Sequence, residues 1–457
     1  MERLRRARAA ASELFDRVAL HSPARLAIGA FGLVVAAVTA LLELPVSTAS
    51  GVRAPFVDAL FTATSAVCVT GLTTVNTGTY WSVTGQAIII VAIAIGGLGI
   101  MTIASVLGLA VSRRLGLTQR ILAAGESRAS GLGEVRSMLR TIVVISVIVE
   151  VGIAGVLFPR LLHHGFSVKH AAWHSIFYGI SSFNNAGFVP TENGIAPFAN
   201  DVWVRAPIAL GVFIGALGFP VYLNLVRHWR RPREWSLHTK LTILMVVVLT
   251  GISTIAVGVL EWNNPKTLGQ HSVGTRLSEV FFIGINQRSG GFAAVQHSGM
   301  HEHTWLVEDV LMFIGGGSGG TAGGIRVTTF AVLVLALVAE VRGRRDVEVF
   351  GKRIGTAVVR VALSVTLISL FIVLLGAGIV TAQTGMRLDQ VLFEVVSAYA
   401  TCGLSTGITP FLPASAKVTI TILMFVGRLG SVTLAAALAL NRQRRVIRYP
   451  SERPIIG

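Results

Sequence analysis

The chain is poor in two things that most soluble proteins use freely: of its 457 residues 2 are cysteine, and 13% are charged. Two cysteines, Cys68 and Cys402, supply neither a disulfide framework nor a cysteine-rich metal site, and they read as small packing residues. So little charge beside 53% hydrophobic residues excludes an ordinary soluble domain and points to a polytopic membrane protein. Acids are the scarcer sign, 22 against 39 Lys and Arg, for a formal net charge of +17. No nucleophile stands with a recognisable general base, so the reading is not an enzyme.

Apolar runs near 25–45, 82–110, 138–158, 203–226, 238–260, 305–340, 355–382 and 416–440 have the length of candidate spans. The basic residues lie between them in a pattern. They crowd the N-terminal tail (Arg3, Arg5, Arg6, Arg8, Arg17, Arg25) and the C-terminal tail (Arg442, Arg444, Arg445, Arg448, Arg453). Three connections carry the rest: Arg113, Arg114, Arg120, Arg128 and Arg136; Arg227, Arg230, Arg231, Arg233 and Lys240; Arg342, Arg344, Arg345, Lys352 and Arg353. The alternate connections are much poorer in Lys and Arg, so the positive-inside rule puts both termini and the basic loops in the cytoplasm. Nucleic acid is not needed to explain the charge. The first apolar run follows an Arg-rich tail and is long enough to span, so no cleavable signal is expected.

One short stretch organises the rest. Residues 55–73 are apolar, too short to cross a bilayer, and end in Val69-Thr70-Gly71-Leu72. The arrangement recurs at Asn185-Ala186-Gly187, Ser289-Gly290-Gly291 and Thr401-Cys402-Gly403. Each closing glycine follows a phenylalanine by ten positions: Phe61, Phe177, Phe281 and Phe393. Successive glycines are 116, 104 and 112 residues apart, too long a period for a solenoid. Each unit reads as span, short helix, glycine hairpin, span. A hairpin at membrane depth is tolerated only where it lines a wet cavity, so four of them imply one central pore.

A second motif keeps phase in the returning spans: Ile95-Gly96-Gly97-Leu98-Gly99, Ile214-Gly215-Ala216-Leu217-Gly218, Ile314-Gly315-Gly316-Gly317 and Val426-Gly427-Arg428-Leu429-Gly430. Small-residue helix packing accounts for any single copy, but four copies in phase favour a shared architecture. The third copy runs on as Gly315, Gly316, Gly317, Ser318, Gly319, Gly320, Thr321, Ala322, Gly323 and Gly324, with seven glycines in ten. It matches GxGxxG, yet it has no preceding strand and no following Gly-Lys-Ser/Thr, so neither a dinucleotide site nor a P-loop is expected. It reads as a flexible break at mid-membrane depth. In the fourth copy Arg428 sits near the middle of its span, where a charge must face water or a partner. Glu150 reads as a satisfied structural acid. Asp58, Glu279 and Asp389 read as acids near short-helix starts, complementing the dipole. His163, His164, His297, His301 and His303 show no metal-ligand spacing.

Taken together, CVTGLTT at 68–74, IGGLGIMT at 95–102, NNAGF at 184–188, IGALGFPVYLNL at 214–225, RSGGF at 288–292, GGSGGTAGGIRVTT at 316–329, TCGLSTG at 401–407 and VGRLGSVTLAAAL at 426–438 resemble the Trk/Ktr/HKT superfamily of potassium transporters. The likeness covers about residues 22–445 and is nearest to the Ktr membrane subunits. It implies an all-α polytopic membrane protein of four tandem M1–pore helix–M2 repeats, with eight spans and four re-entrant pore helices around one pseudo-fourfold pore. The units are a basic tail 1–21, repeat A 22–112, repeat B with its linker 113–228, repeat C 229–341, repeat D 342–445 and a tail 446–457. The resemblance further implies a K+ filter at Val69–Gly71, Asn185–Gly187, Ser289–Gly291 and Thr401–Gly403, and a gate of 315–324 with Arg428. Gly319 departs from the family pattern, where a proline is common. Also implied are a bacterial plasma membrane location among membrane lipids, a homodimer, and a cytosolic nucleotide-binding ring that carries ATP, ADP or a similar nucleotide. No organic cofactor is expected on this chain, and K+ is the only metal, at the filter. The expected function is gated, Na+-stimulated potassium uptake. A secondary transporter of another cation or a small solute, and a receptor or assembly platform, are the alternatives; the first predicts inverted repeats, whereas these four run in one orientation.

Overall fold

The computed structural model describes residues 23–114 and 132–440. The tails 1–21 and 446–457, and with them Arg120, Arg128 and Arg442 to Arg453, lie outside the described residues. What is described is almost all helix. The order is α1 (Pro23–Leu42), α2 (Phe56–Val67), α3 (Val83–Arg114), α4 (Leu132–His163), α5 (Val168–Phe183), α6 (Val202–Leu217) and α7 (Phe219–His228). Then come α8 (Leu237–Glu261), α9 (Val273–Asn286), α10 (Glu302–Phe313), α11 (Val327–Val341), α12 (Thr356–Thr384), α13 (Leu388–Tyr399) and α14 (Ala414–Leu440). A small hairpin, β1 (Val347–Val349) and β2 (Lys352–Ile354), joins α11 to α12 with Val347 opposite Ile354. Its two turn residues, Phe350 and Gly351, both have positive φ, as a tight hairpin turn demands.

Among the described residues three helices suffice by length and composition to cross a membrane: Leu139–His163, Leu237–Glu261 and Thr356–Thr384. The pair α6 and α7 makes a fourth candidate, bent by 95°. That bend corrects the continuous span expected over 203–226. Gly218 at the corner has φ +90°, which a residue with a Cβ resists, and Pro220 follows at the start of the new helix, where it needs no N–H partner. The break expected in the third returning span is present: α10 stops at Phe313 and α11 begins at Val327.

The short helices pack as the sequence predicts, each against its neighbours in the chain. Thus α2 lies against α1 and α3, α5 against α4 and α6, α9 against α8, and α13 against α12 and α14. Further contacts close these sets into a cycle, α3 on α5, α6 on α9, α10 on α13, and α14 back on α2. The ion pair Lys417–Asp58, at 3.0 Å, ties the last helix to the first short one. Ser167 and Ser272 cap α5 and α9, and Asp58 and Asp389 lie in the first turns of α2 and α13. One expectation fails here. Glu279 is in the middle of α9, fully buried against His271 and Arg205, so it is a core ion partner and not a dipole cap. Of the four in-phase phenylalanines, Phe61, Phe177 and Phe393 are buried, but Phe281 is exposed on the outer surface of α9.

The second glycine motif has a physical reason. A Cβ built on Gly96, Gly215 or Gly427 would strike the carbonyl oxygen of Val67, Phe183 or Tyr399 respectively, the last residue of α2, α5 or α13. Each returning helix therefore seats the end of a short helix on a bare backbone. At the third position Gly315 meets the carbonyl of Gly323 instead, because the chain has folded back there. Gly427→Ala is accordingly expected to destabilise the protein by about 1–3 kcal/mol through overpacking. Gly155→Ala, in open space on α4, should have no such effect. Thermal melts of the two purified variants check this, and equal melting points would refute it.

Candidate functional site

Each short helix ends in the same way. Cys68, Asn184 and Ala400 are still right-handed, and then the backbone flips: φ is +54° at Val69, +57° at Asn185 and +46° at Thr401. Ser289 makes the matching turn at +73°. Two residues later Gly71, Gly187, Gly291 and Gly403 are again positive, at +98°, +68°, +73° and +91°. For β-branched Val69 and Thr401 this is strained backbone, costing on the order of 1–3 kcal/mol each, and such strain concentrates at functional sites. Hydrogen bonds hold it in place. Thr70, Ala186 and Cys402 donate their backbone N–H groups to Ser65, Ser181 and Ser397 carbonyls at 2.7–2.8 Å. The hydroxyls of Ser65 and Ser397 accept from Gly71 and Gly403 N–H at 3.0 and 3.1 Å.

The four glycines meet one another. A Cβ on Gly187 would lie 2.7 Å from Gly291 Cα, and one on Gly291 would lie 2.7 Å from Cys402 O. One on Gly403 would lie 3.0 Å from Gly71 Cα, and one on Gly71 would lie 3.2 Å from Gly187 Cα. All four hairpins thus converge on one point in chain order, with Val69, Thr70, Asn185, Ala186, Ser289, Gly290, Thr401 and Cys402 around it, all buried.

The glycine-rich segment 315–324 lies directly against this ring. Thr321 Oγ1 donates to Asn185 Oδ1 and Gly215 O, both at 3.0 Å, and Gly323 N–H donates to Ser289 Oγ at 3.1 Å. Ser289 Oγ in turn donates to Thr401 O at 2.7 Å. Gly317 N–H reaches Ala216 O at 2.7 Å, and the corner at Gly218 leaves no room for a Cβ beside Ser318 O. The bend in α6–α7 is what accommodates the loop. Gly319 has φ +78° against the Phe219 ring, a conformation that proline, with φ near −65°, does not adopt.

Arg428 is fully buried and donates through Nη1 to Thr321 O. A second guanidinium was not anticipated. Arg326 is buried at the foot of the loop and donates to Ala322 O and, at 3.3 Å, to Gly317 O. Neither arginine has a carboxylate partner among the described residues, and Arg428 keeps Nε and Nη2 unpaired. Also missed were Arg288, which donates to Thr250 Oγ1, and Glu308, which accepts from Gln287 Nε2 at 2.5 Å behind the third hairpin. The available signals were the arginine that opens RSGGF, the arginine in GGIRV, and an adjacent acid pair inside an apolar helix. Glu150 accepts from Asn184 Nδ2 at 3.0 Å, in line with a structural acid. Cys68 and Cys402 are buried free thiols. Among the described residues no group of three or more His, Cys, Asp or Glu is placed to hold a metal ion.

Comparison with known proteins agrees with this architecture. A family model described as TrkH, cation transport protein, matches residues 10–448. The chain is 36% identical over 437 residues to the Ktr system potassium uptake protein B of Bacillus subtilis (strain 168), covering 95% of this chain and 96% of that protein. It is 32% identical over 446 residues to the potassium/sodium uptake protein NtpJ of Enterococcus hirae, covering 95% and 97%. The crystal structure of the potassium transporter TrkH from Vibrio parahaemolyticus matches with a TM-score of 0.69 at 17% identity, over 89% of this chain and 82% of that one, a likeness of fold. The resemblance read from the eight motifs holds, and the chain belongs to the TrkH family of membrane cation transport proteins.

Proposed function

We propose that this chain is the pore subunit of a potassium uptake system. The carrying observation is the convergence of four hairpins with left-handed backbone at the same two positions. Alternating backbone hand turns successive peptide planes alike, so the carbonyls of Val69–Gly71, Asn185–Gly187, Ser289–Gly291 and Thr401–Gly403 line one path. Such carbonyls replace part of a passing cation's hydration shell. In this reading the chain forms eight spans in four repeats, with both termini in the cytoplasm of a bacterial cell. Inward K+ flow is driven by the membrane potential, about 2.3 kcal/mol per charge per 100 mV.

The loop 315–324 with Arg428 is the gate, closed as it stands. Uncompensated guanidinium groups beneath a cation path oppose entry, and flexible glycine backbone allows the loop to be withdrawn when α11 moves. The relatives are named as parts of a Ktr system, which supports a second component: a cytosolic nucleotide-binding ring on the basic inner loops, acting on a homodimer of pores in the lipid bilayer. Na+ stimulation belongs to the same reading, and the name potassium/sodium uptake protein of the Enterococcus relative makes Na+ the ion to compete against. The decisive experiment is growth rescue of a potassium-uptake-deficient host at low K+, with Na+ and Rb+ as competitors. Rescue that Rb+ competes with and Na+ does not block is the expected result. Failure to rescue, with the protein folded in the membrane and its cytosolic partner supplied, would overturn the proposal.

A further inference from the structure

Away from the pore, the first turns of α8, α11 and α12 enclose a cavity of about 510 Å³, with Arg353 of β2 on its wall. That is the size of a small-ligand pocket. Its floor is apolar: Leu241, Val332, Ala362 and Val365 all line it and are buried. Val358, also on the wall, is 52% exposed and marks the side on which the cavity opens. From Val358 to Val365 the wall follows α12 for seven residues, about 10 Å of helix rise. Both α8 and α12 are long and apolar enough to cross a membrane, and Arg353 precedes α12 by three residues. The slot is therefore apolar along most of its length and cationic where a spanning helix begins.

Arg353 is able to take a further partner. It gives one hydrogen bond, to Asp346 at 3.3 Å, in a pair whose side chains are 66% and 43% exposed. A guanidinium carries five N–H donors, and so exposed an ion pair is readily exchanged. The surrounding charge has the same sign. Arg342, Arg344, Arg345, Lys352 and Arg353 stand against Asp346 and Glu348, and Lys240 lies 6.0 Å from the centre of the Phe350 ring at the hairpin turn. One wall also touches the glycine-rich segment: Thr328 lines the cavity, and its Oγ1 shares a hydrogen bond with Ser318 Oγ at 2.9 Å.

We propose that this cavity binds one anionic phospholipid, with the phosphate on Arg353 and one acyl chain along Val358 to Val365. Basic pockets between membrane helices on the cytoplasmic side recognise anionic headgroups through this pairing of charge and apolar slot. The chain fills the space beside Val332 and Thr328, so it steadies α11 against α8 and α12 and, through Ser318, the loop. The site rests on the proposed orientation, which turns the basic loops toward the anionic cytoplasmic leaflet.

Native mass spectrometry of the full-length protein in detergent, titrated with phosphatidylglycerol or with phosphatidylcholine of the same acyl chains, tests this. The wild type should retain one phosphatidylglycerol per chain in preference to phosphatidylcholine. Arg353→Gln should weaken phosphatidylglycerol binding about fivefold, or about 1 kcal/mol, which is what one basic residue contributes near an anionic lipid surface. Val358→Trp, at the exposed opening, should weaken both lipids by obstructing the slot. Arg360→Gln, exposed on α12 but off the cavity wall, should change neither. No ion flux is measured, so a failure of potassium uptake leaves the binding result standing. Equal retention of the two lipids by the wild type, unchanged phosphatidylglycerol binding in Arg353→Gln or Val358→Trp, or an equal loss in Arg360→Gln would each overturn the assignment.

Discussion

Gly71→Ser is expected to cut the preference for K+ over Na+ by about tenfold, equivalent to about 1.4 kcal/mol in relative transfer into the ring. Gly71 has φ +98°, outside even the left-handed well that asparagine tolerates. A Cβ there would press on Ala186 O, one of the carbonyls of the next hairpin, and lie 3.2 Å from Gly187 Cα. The backbone must give, and in giving it changes the spacing of the oxygens. A ring tuned to a larger, less tightly hydrated ion loses most when its oxygens are displaced, whereas a smaller ion meets a looser cage without penalty. Gly187→Ser should act in the same direction, since its Cβ would lie 2.7 Å from Gly291 Cα. Uptake of Rb+ and Na+ into liposomes, per folded protein, measures the ratio. An unchanged ratio in both variants would remove the carbonyl ring from the selectivity mechanism.

The second large effect concerns the loop. Arg428→Ala is expected to raise K+ flux several-fold and to weaken its dependence on the proposed cytosolic partner. Arg428 holds Thr321 O, and Thr321 in turn holds Asn185 and Gly215, so one guanidinium secures the loop against the second hairpin. Removing it leaves Arg326 as the one guanidinium on a loop of seven glycines, each about 1 kcal/mol poorer than alanine at holding helix. It also removes a buried positive charge from beside the proposed cation path. A purely structural arginine predicts the opposite, a loss of folded protein and of flux together. Deleting Gly319 and Gly320 separates the two, because it shortens the loop and leaves Arg428 in place. Flux per folded protein in liposomes that fails to rise for either variant would sink the gate.

Much of this was legible before any coordinates. The hairpin glycines stand out because each must adopt a backbone that side chains resist, and such positions recur wherever the same turn recurs. The in-phase glycines at Gly96, Gly215 and Gly427 were legible for a similar reason, since a carbonyl presses on each of them. The glycine run 315–324 announced a break by composition alone. The corner at Gly218 was not seen, because Gly-Phe-Pro reads equally well as a kink within one span, and only the loop packed against it forces a right-angled turn. Arg326 was overlooked because it follows the loop at the start of a helix, where a basic residue at a membrane boundary is unremarkable.

The sequence by itself determined the local conformations: where short apolar helices stop, where the backbone turns left-handed, and where a span cannot continue. Those depend on steric rules that act within a few residues. Tertiary structure alone decided which groups meet. The ring of Gly71, Gly187, Gly291 and Gly403, the seat of Thr321 between Asn185 and Arg428, and the burial of Glu279 against Arg205 and His271 join residues from separate helices. Their distances are set by how helices pack, and packing is a property of the whole surface of each helix, which no short stretch of sequence encodes.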